Sequence, residues 1–318
     1  MSSIDVLSVT KLSPFYEAHL RQHFALHDRL HESDPAAFAK IAPQIRAIAA
    51  SGESKVSAEL MAKLPALEII SVFGVGYDGI DTQAAKARGV MVTHTPNVLN
   101  DDVADLAMGL MLAAARQLPA ADRYVKDGKW PNGPMPLARK VSGARLGIVG
   151  MGRIGQAIAA RAQAFGMHIA YTARSAKADI AHRYVATPTA LAAESDYLVV
   201  ITPGGAGTRK LINAAVLAAL GTKGILVNVA RGSVVDEAAL IEALQNGVIG
   251  GAGLDVFENE PNVPEALRQM PHVVLAPHIG SATTNTRQAM GDLAFNNMHH
   301  HFSGKAVLTP VPECAPKG

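Results

Sequence analysis

One cysteine in 318 residues, Cys314, leaves no partner for an internal disulfide. A disulfide-stapled scaffold is excluded, and a reducing cytosol fits. Excess charge is missing too: 29 Lys and Arg against 27 Asp and Glu leave a formal charge of +2. Neither nucleic acid nor an anionic membrane is therefore expected as a bulk partner. No apolar run is long enough to span a bilayer. The most apolar stretch, residues 103–115, is interrupted by Asp105 and ends at Arg116, and reads as a buried helix. The opening Met-Ser-Ser-Ile-Asp-Val has no basic region followed by an apolar one, so no secretory signal is expected and a cytoplasmic location is. What remains is ordinary for a folded protein: 49% apolar and 18% charged residues exclude disorder. The length suffices for one large domain or two ordinary ones.

Along residues 1–95, short apolar runs alternate with helical patterns. Segments 4–9, 45–50, 69–73 and 90–93 are expected as buried strands, and 15–23, 57–63 and 81–88 as helices, which is the rhythm of a parallel sheet. Thr95-Pro-Asn97 breaks the pattern, and a long helix opens near Asp101-Asp102 with Arg116 near its end, as the helix dipole prefers. Residues 126–142, with the only tryptophan, read as a loop. A second parallel pattern follows, with strands at 145–149, 168–172, 197–201, 225–229, 253–256 and 273–275 and helices near 153–165, 213–220 and 236–246. Residues 283–302 form a last helix. The expected architecture is α/β with two parallel-sheet domains, 101–283 being inserted between 1–100 and 284–318. Two chain crossings predict a hinge with a cleft, a preferred ligand site.

Gly150-Met151-Gly152-Arg153-Ile154-Gly155 follows the strand-like Leu146-Gly-Ile-Val and opens an alanine-rich helix. In that context the first glycine makes the turn, the second admits a pyrophosphate and the third packs helix on strand. The helix N-terminus then faces the phosphates. A plain structural turn is the bland alternative. About 20 residues on, a NAD enzyme places an acid against the ribose 2′-hydroxyl. Here the strand ends Tyr171-Thr-Ala-Arg174-Ser175, with no acid before Asp179. An arginine and a hydroxyl suit a 2′-phosphate that a carboxylate would repel, so NADP(H) is expected over NAD(H). An exposed loop arginine is the competing reading.

Three charged residues then arrive in order: Arg231 in Asn228-Val-Ala-Arg-Gly, Glu260 in Glu-Asn-Glu-Pro, and His278 in Pro-His-Ile-Gly-Ser-Ala-Thr. Reducing a 2-keto acid needs an anchor for its carboxylate and a proton for its oxygen. A guanidinium serves the first, in bidentate fashion, and can polarise the carbonyl. An imidazole serves the second near neutral pH, and a carboxylate on its other nitrogen sets the tautomer and keeps the cation populated. Arg231 and His278 both follow strand-like runs, where α/β sheets bind ligands. Alone, each has a bland reading as a surface ion pair, a loop acid or a core histidine.

Together, these motifs resemble the D-isomer-specific 2-hydroxyacid dehydrogenase family over essentially the whole chain. They are joined by Ser233-Val-Val-Asp236, Gly253-Leu-Asp-Val-Phe-Glu-Asn-Glu-Pro261 and Pro277–Thr283. The resemblance implies two Rossmann-like domains: a flavodoxin-like substrate domain (1–100 and 284–318) and a NADP-binding domain (101–283). It implies Arg231 as substrate anchor, Glu260 as orienter of the histidine, and His278 as proton donor. It places Thr202, Pro203, Thr208, Val229, Ala230, Gly280 and Ser281 beside the cofactor, and Asp255 on the nicotinamide carboxamide. Ser71-Val-Phe-Gly-Val-Gly-Tyr-Asp-Gly-Ile-Asp81 resembles the substrate loop, where the N–H groups of Val75 and Gly76 hold the carboxylate.

Tyr171–Ser175, Phe73–Asp78 and Gly128-Lys-Trp130-Pro with Lys140-Val-Ser-Gly resemble the NADPH-preferring glyoxylate/hydroxypyruvate reductase branch. That branch implies a homodimer in which Trp130 reaches the partner's substrate site. A local packing anchor is the alternative role of that tryptophan. The expected reaction is NADPH-dependent reduction of glyoxylate and hydroxypyruvate to D-2-hydroxy acids, with no metal. The alternatives are a dehydrogenase for larger 2-keto acids such as phenylpyruvate, and a non-catalytic dinucleotide sensor. His299-His300-His301 invites a metal reading, but consecutive helical residues point in different directions, so an exposed or dimer-side helix end is expected.

Overall fold

A computed structural model of the chain describes residues 4–315; the outermost residues of the expected first domain, 1–3 and 316–318, lie outside the described residues. The chain divides into two compact units, one reaching Leu99 and resuming at Thr283, the other running from Asn100 to Ala282.

The first unit contains β1 (Asp5–Ser8), α1 (Pro14–His23), β2 (Ala25–Asp28), α2 (Leu30–Ser33), α3 (Pro35–Ile41), β3 (Ile45–Ser51), α4 (Ala58–Ala62), β4 (Ile69–Phe73), α5 (Thr82–Ala87) and β5 (Met91–Thr93). The second contains α6 (Asn100–Arg116), α7 (Leu118–Lys126), β6 (Arg145–Val149), α8 (Arg153–Ala164), β7 (His168–Thr172), β8 (Arg183–Tyr184), α9 (Pro188–Ala193), β9 (Tyr197–Val200), α10 (Ala214–Leu220), β10 (Ile225–Asn228), α11 (Glu237–Gln245), β11 (Gly251–Leu254), α12 (Glu265–Gln269) and β12 (Val273–Leu275). The long helix α13 (Thr284–Phe302) returns to the first unit. Helix starts are set locally: Ser57, Asp81, Asn213, Asp236 and Thr283 each accept a backbone N–H of the helix they precede, satisfying donors the helix cannot.

Both sheets are parallel. The five strands of the first run β2-β1-β3-β4-β5, the flavodoxin-like order, which reverses between β1 and β3. The seven strands of the second run β12-β11-β10-β9-β6-β7-β8. Counted from β6, this is the dinucleotide-binding order with one added strand, and it reverses between β6 and β9. Strands β4, β9, β10 and β11 are buried along their whole length, as sheets covered on both faces require.

The structure departs from the sequence reading in its shortest and most exposed elements. Strand β2 was not expected; it is a partly exposed edge strand without an apolar run. Helix α7 was not expected either: its sequence is amphipathic, but none of its residues is buried, so its apolar side covers no core. Helices α2, α3, α9 and α12 and the two-residue β8 were likewise unexpected, and each is short. Strand β11 begins at Gly251 rather than 253 because Gly-Ala-Gly-Leu lacks the bulky residues of a strand pattern. The small residues have a reason: a Cβ on Gly253 would come within 2.9 Å of Leu110 on α6, which packs on this strand.

Candidate active site

In a parallel sheet every strand ends on the same edge, and ligands bind beyond that edge where the strand order reverses. In the second unit this edge gathers most of the residues singled out by sequence. From one side of the sheet to the other, His278 follows β12, Asp255 follows β11, Arg231 follows β10 and Thr202 follows β9. Gly150 then follows β6, and Arg174 follows β7. The charged trio therefore lies on one side of the reversal and the Arg174-Ser175 turn on the other.

The glycine turn has the shape a dinucleotide requires. Gly150 adopts φ +104, and a Cβ there would come within 2.8 Å of the Ile201 carbonyl. A Cβ on Gly155 would overlap the carbonyl oxygen of Gly150, so α8 packs directly on the turn. Gly152 is the opposite case: nothing lies within 4 Å of an added Cβ, and no side chain caps α8. The N-terminal N–H groups of that helix are therefore left without a side-chain cap, beside a glycine with room around it, an arrangement suited to a diphosphate. Met151 is buried, Ile154 half-buried and Arg153 exposed. Beyond β7, Tyr171 Oη accepts the Lys177 N–H at 2.9 Å, closing the turn that carries exposed Arg174 and Ser175. The residues present fit a phosphorylated dinucleotide.

Arg231 is half-buried, and its Nη1 donates to the Ala230 carbonyl at 2.7 Å. Asn228, 1% exposed, shapes the Arg231 turn: its Oδ1 accepts from Ala230 N–H at 3.1 Å and its Nδ2 donates to the Arg231 carbonyl at 3.1 Å. Gly232 matters for a different reason. A Cβ there would overlap the backbone of Phe257 and Glu258, so the segment carrying Glu260 lies directly against the segment carrying Arg231. Val229 and Ala230 are buried beside it.

The Glu260 carboxylate holds two donors. Oε1 accepts from Phe257 N–H at 2.9 Å and Oε2 from His278 Nδ1 at 2.7 Å. A carboxylate can only accept, so Nδ1 carries the proton and Nε2 is the other face of the ring. His278 has φ +52, a left-handed conformation rare for a residue with a side chain. Asp255, 2% exposed, holds that turn. Its carbonyl accepts His278 N–H at 2.9 Å, and its carboxylate oxygens accept Ile279 N–H at 2.7 Å and Gly280 N–H at 2.9 Å. Burial pushes the Asp255 carboxyl upward from its ordinary pKa, against the pull of these N–H groups. Sequence reasoning gave Asp255 a contact with cofactor and missed this grip, as it missed the roles of Asn228 and Gly232. The signal for Asn228 was present in its spacing from Arg231; the others rest on through-space contacts.

Thr208 Oγ1 donates to the Pro203 carbonyl at 2.7 Å, folding the 203–208 loop on itself behind half-buried Thr202. Ser281 is half-buried, just beyond the Gly280 held by Asp255. In the first unit, Val75 and Gly76 are half-buried on the loop after β4. Trp130 is 65% exposed. Of the three histidines, His299 is exposed and stacks on Phe295, His300 bonds the Ala306 carbonyl at 3.1 Å, and His301 bonds Glu68 at 3.2 Å. The latter two are thus engaged within the chain.

A family model described as "D-isomer specific 2-hydroxyacid dehydrogenase, NAD binding domain" matches residues 108–280. The chain is 47% identical to glyoxylate/hydroxypyruvate reductase A of Arabidopsis thaliana, over 98% of this chain and 100% of that protein. It is 46% identical to hydroxyphenylpyruvate reductase of Plectranthus scutellarioides, over 98% of this chain and 100% of that one. Its fold superposes with a TM-score of 0.93 on the NADPH-dependent glyoxylate/hydroxypyruvate reductase of Sinorhizobium meliloti, solved with NADP and malonate. That pair shares 47% identity and 98% coverage of each chain.

Proposed function

The chain belongs to the D-isomer specific 2-hydroxyacid dehydrogenase family, and from that premise we propose that it is an NADPH-dependent reductase of small 2-keto acids, glyoxylate and hydroxypyruvate foremost. The observation that carries the reading is the 2.7 Å His278–Glu260 pair, on the sheet edge that also bears Arg231 and the glycine turn. A proton donor, a cation for an anionic substrate and a dinucleotide cradle on one edge are the parts this reduction needs.

Bound NADPH supplies a hydride to the carbonyl carbon. The chain's own residues do the rest. Arg231 pairs with the substrate carboxylate and draws electron density toward the carbonyl oxygen, where negative charge builds as the hydride arrives. His278 then delivers a proton from Nε2 to that oxygen, completing the 2-hydroxy acid. Glu260 holds Nδ1–H throughout, so the ring stays in one tautomer and its protonated form is stabilised. Val75 and Gly76 offer N–H groups to the carboxylate. Gly150 to Gly155 take the pyrophosphate, and Arg174 with Ser175 takes the 2′-phosphate. Thr202, Pro203, Thr208, Val229, Ala230, Asp255, Gly280 and Ser281 complete the cofactor site.

Residues 1–100 with 284–318 form the substrate domain in this reading, and 101–283 the NADP domain. The active species is a homodimer in which Trp130 enters the partner's substrate site. Support comes from exposed apolar side chains on α7 and the following loop: Leu118, Val125, Trp130 and Leu137 are 51%, 56%, 65% and 99% exposed. The reaction is assigned to the cytoplasm, in keeping with the single cysteine.

The test is a steady-state panel of glyoxylate, hydroxypyruvate, 2-ketogluconate and hydroxyphenylpyruvate against NADPH and NADH. The highest kcat/KM is expected for the two smallest acids with NADPH. Equal efficiency with NADH would remove the role given to Arg174-Ser175, and a leading rate on hydroxyphenylpyruvate would reassign the substrate to larger keto acids.

A further inference from the structure

The loop Gly74-Val75-Gly76-Tyr77 follows β4, and its neighbour in the sheet, β5, runs on into His94 and Thr95. Those two residues grip the loop three times. Thr95 N–H donates to the Gly74 carbonyl at 2.8 Å, Gly74 N–H donates to Thr95 Oγ1 at 3.0 Å, and His94 Nδ1 donates to the Val75 carbonyl at 2.9 Å. A carbonyl oxygen only accepts, so the His94 proton sits on Nδ1.

The consequence follows from the planarity of the peptide bond. In a trans peptide the C=O of one residue and the N–H of the next lie in one plane and point in opposite directions. Fixing the Gly74 carbonyl therefore fixes the direction of Val75 N–H, and fixing the Val75 carbonyl fixes that of Gly76 N–H. Both carbonyls are held by the same segment, so both N–H groups point away from it. Two successive N–H groups turned to one side form an anion-binding concavity.

We propose that His94 is a positioning residue: by holding the Val75 carbonyl it keeps the Gly76 N–H aimed at the substrate carboxylate. This rests on the assignment of Val75 and Gly76 as carboxylate donors.

His94 is itself braced. Its carbonyl accepts from Thr309 Oγ1 at 2.6 Å and its N–H donates to the Thr309 carbonyl at 3.2 Å. Thr309 in turn is held by Asn297, a fully buried residue of α13. The Asn297 Oδ1 accepts the N–H groups of Leu308 and Thr309 at 2.9 Å each, and its Nδ2 donates to Thr309 Oγ1 at 2.8 Å. The His94 ring also meets Tyr77 of the same loop edge-on, with centroids 5.3 Å apart, and Tyr77 Oη donates to Glu313 at 3.2 Å. The His94 main chain is thus held by the C-terminal segment while its ring lies against the loop it holds, through the Val75 carbonyl and Tyr77. A preorganised donor loses little in binding, because its ordering cost is met during folding.

Two substitutions test the role. His94→Phe keeps the ring and its edge against Tyr77 but loses the donor; His94→Asn restores a short donor. KM and kcat for glyoxylate with NADPH are measured for each, together with Tm and the Kd for NADPH alone. A carboxylate held equally in ground and transition states affects KM rather than kcat. His94→Phe is expected to raise KM about tenfold with kcat within about threefold, and His94→Asn to recover most of that loss. NADPH Kd should stay unchanged, because the glycine turn belongs to the other unit. If the phenylalanine variant does not fold, His94→Leu takes its place. A KM within twofold of wild type, or a fall in kcat and Tm that asparagine does not restore, overturns the proposal. Gly76→Pro separates this from the reading beneath it, since it deletes one donor outright. KM raised there but not in His94→Phe overturns the positioning role alone; KM unchanged in both overturns the assignment of the loop as carboxylate donor.

Discussion

The turn after β4 and the turn after β12 occupy matching places in two parallel sheets, at the carboxyl ends of their strands. In the proposed reaction they answer the same chemical problem, an anionic keto acid, with different materials. After β12 the chain supplies a side chain, His278, on a backbone distorted to aim it, and a second side chain, Asp255, that holds the distortion. After β4 it supplies main-chain N–H groups, and the side chains stand behind to hold the carbonyls. A proton must come from a titratable group, so the first turn needs a particular residue. A carboxylate can be met by any N–H, so the second needs only a shape.

The largest effect that could break this contrast is at His278. Replacing it with alanine is expected to lower kcat by about 10³-fold, within the range for a lost general acid. NADPH binding should be retained in the same variant, by fluorescence titration. Substantial turnover in His278→Ala would mean that the proton comes from elsewhere and that the second unit, like the first, works by shape. A smaller effect is expected at Glu260. Glutamine can still accept from Nδ1–H but carries no charge to favour the imidazolium. The pH above which reduction falls off should therefore shift down in a kcat/KM profile. An unmoved profile would reduce Glu260 to a tether.

The smallest effect lies on the opposite edge of the seven-stranded sheet. Arg145, at the start of β6, pairs with Asp196, which precedes β9, at 2.7 Å. Its guanidinium holds the Asp196 carboxyl below the usual carboxylate range. A depressed acid adds stability above its unfolded pKa of about 4, and that stability is lost as pH falls through the folded value. The pair is half-exposed, so Asp196→Asn should cost about 0.5 kcal/mol at neutral pH and less in acid, read by urea denaturation at pH 7 and pH 3. KM and kcat should not move. A change in either would show that the two edges are mechanically coupled.

The same contrast explains what could be read in advance. Strands β4, β6, β7 and β12 occupy the residues expected of them, because each is an apolar run bounded by turn residues. Glu260 and His278 were legible as chemistry, since imidazole and carboxylate stand out at strand ends, and the structure brings them to 2.7 Å. The loop after β4 was legible only through family resemblance, because glycines and N–H groups have no chemical signature. His94 passed unnoticed for the same reason: its partner is a carbonyl, which every residue has. Gly232 stood in a quoted motif, but its contact with Phe257 belongs to a loop after another strand, which no local pattern reveals. Edge strand β2 was missed because it has no apolar run, whereas α7 carried a helical apolar period that the sequence reading passed over.

The left-handed backbone at His278 also limits what evolution can do with this position. Glycine, asparagine, aspartate and histidine enter that region most readily. Of these, histidine alone changes charge near neutrality at its ordinary pKa. A lysine or tyrosine brought here to serve as a different acid would carry a conformational penalty of about 1–3 kcal/mol before it gave up a proton. The turn thus weights the repertoire of proton donors toward one, and a saturation library at this codon should favour histidine unless the residues holding the turn are varied with it.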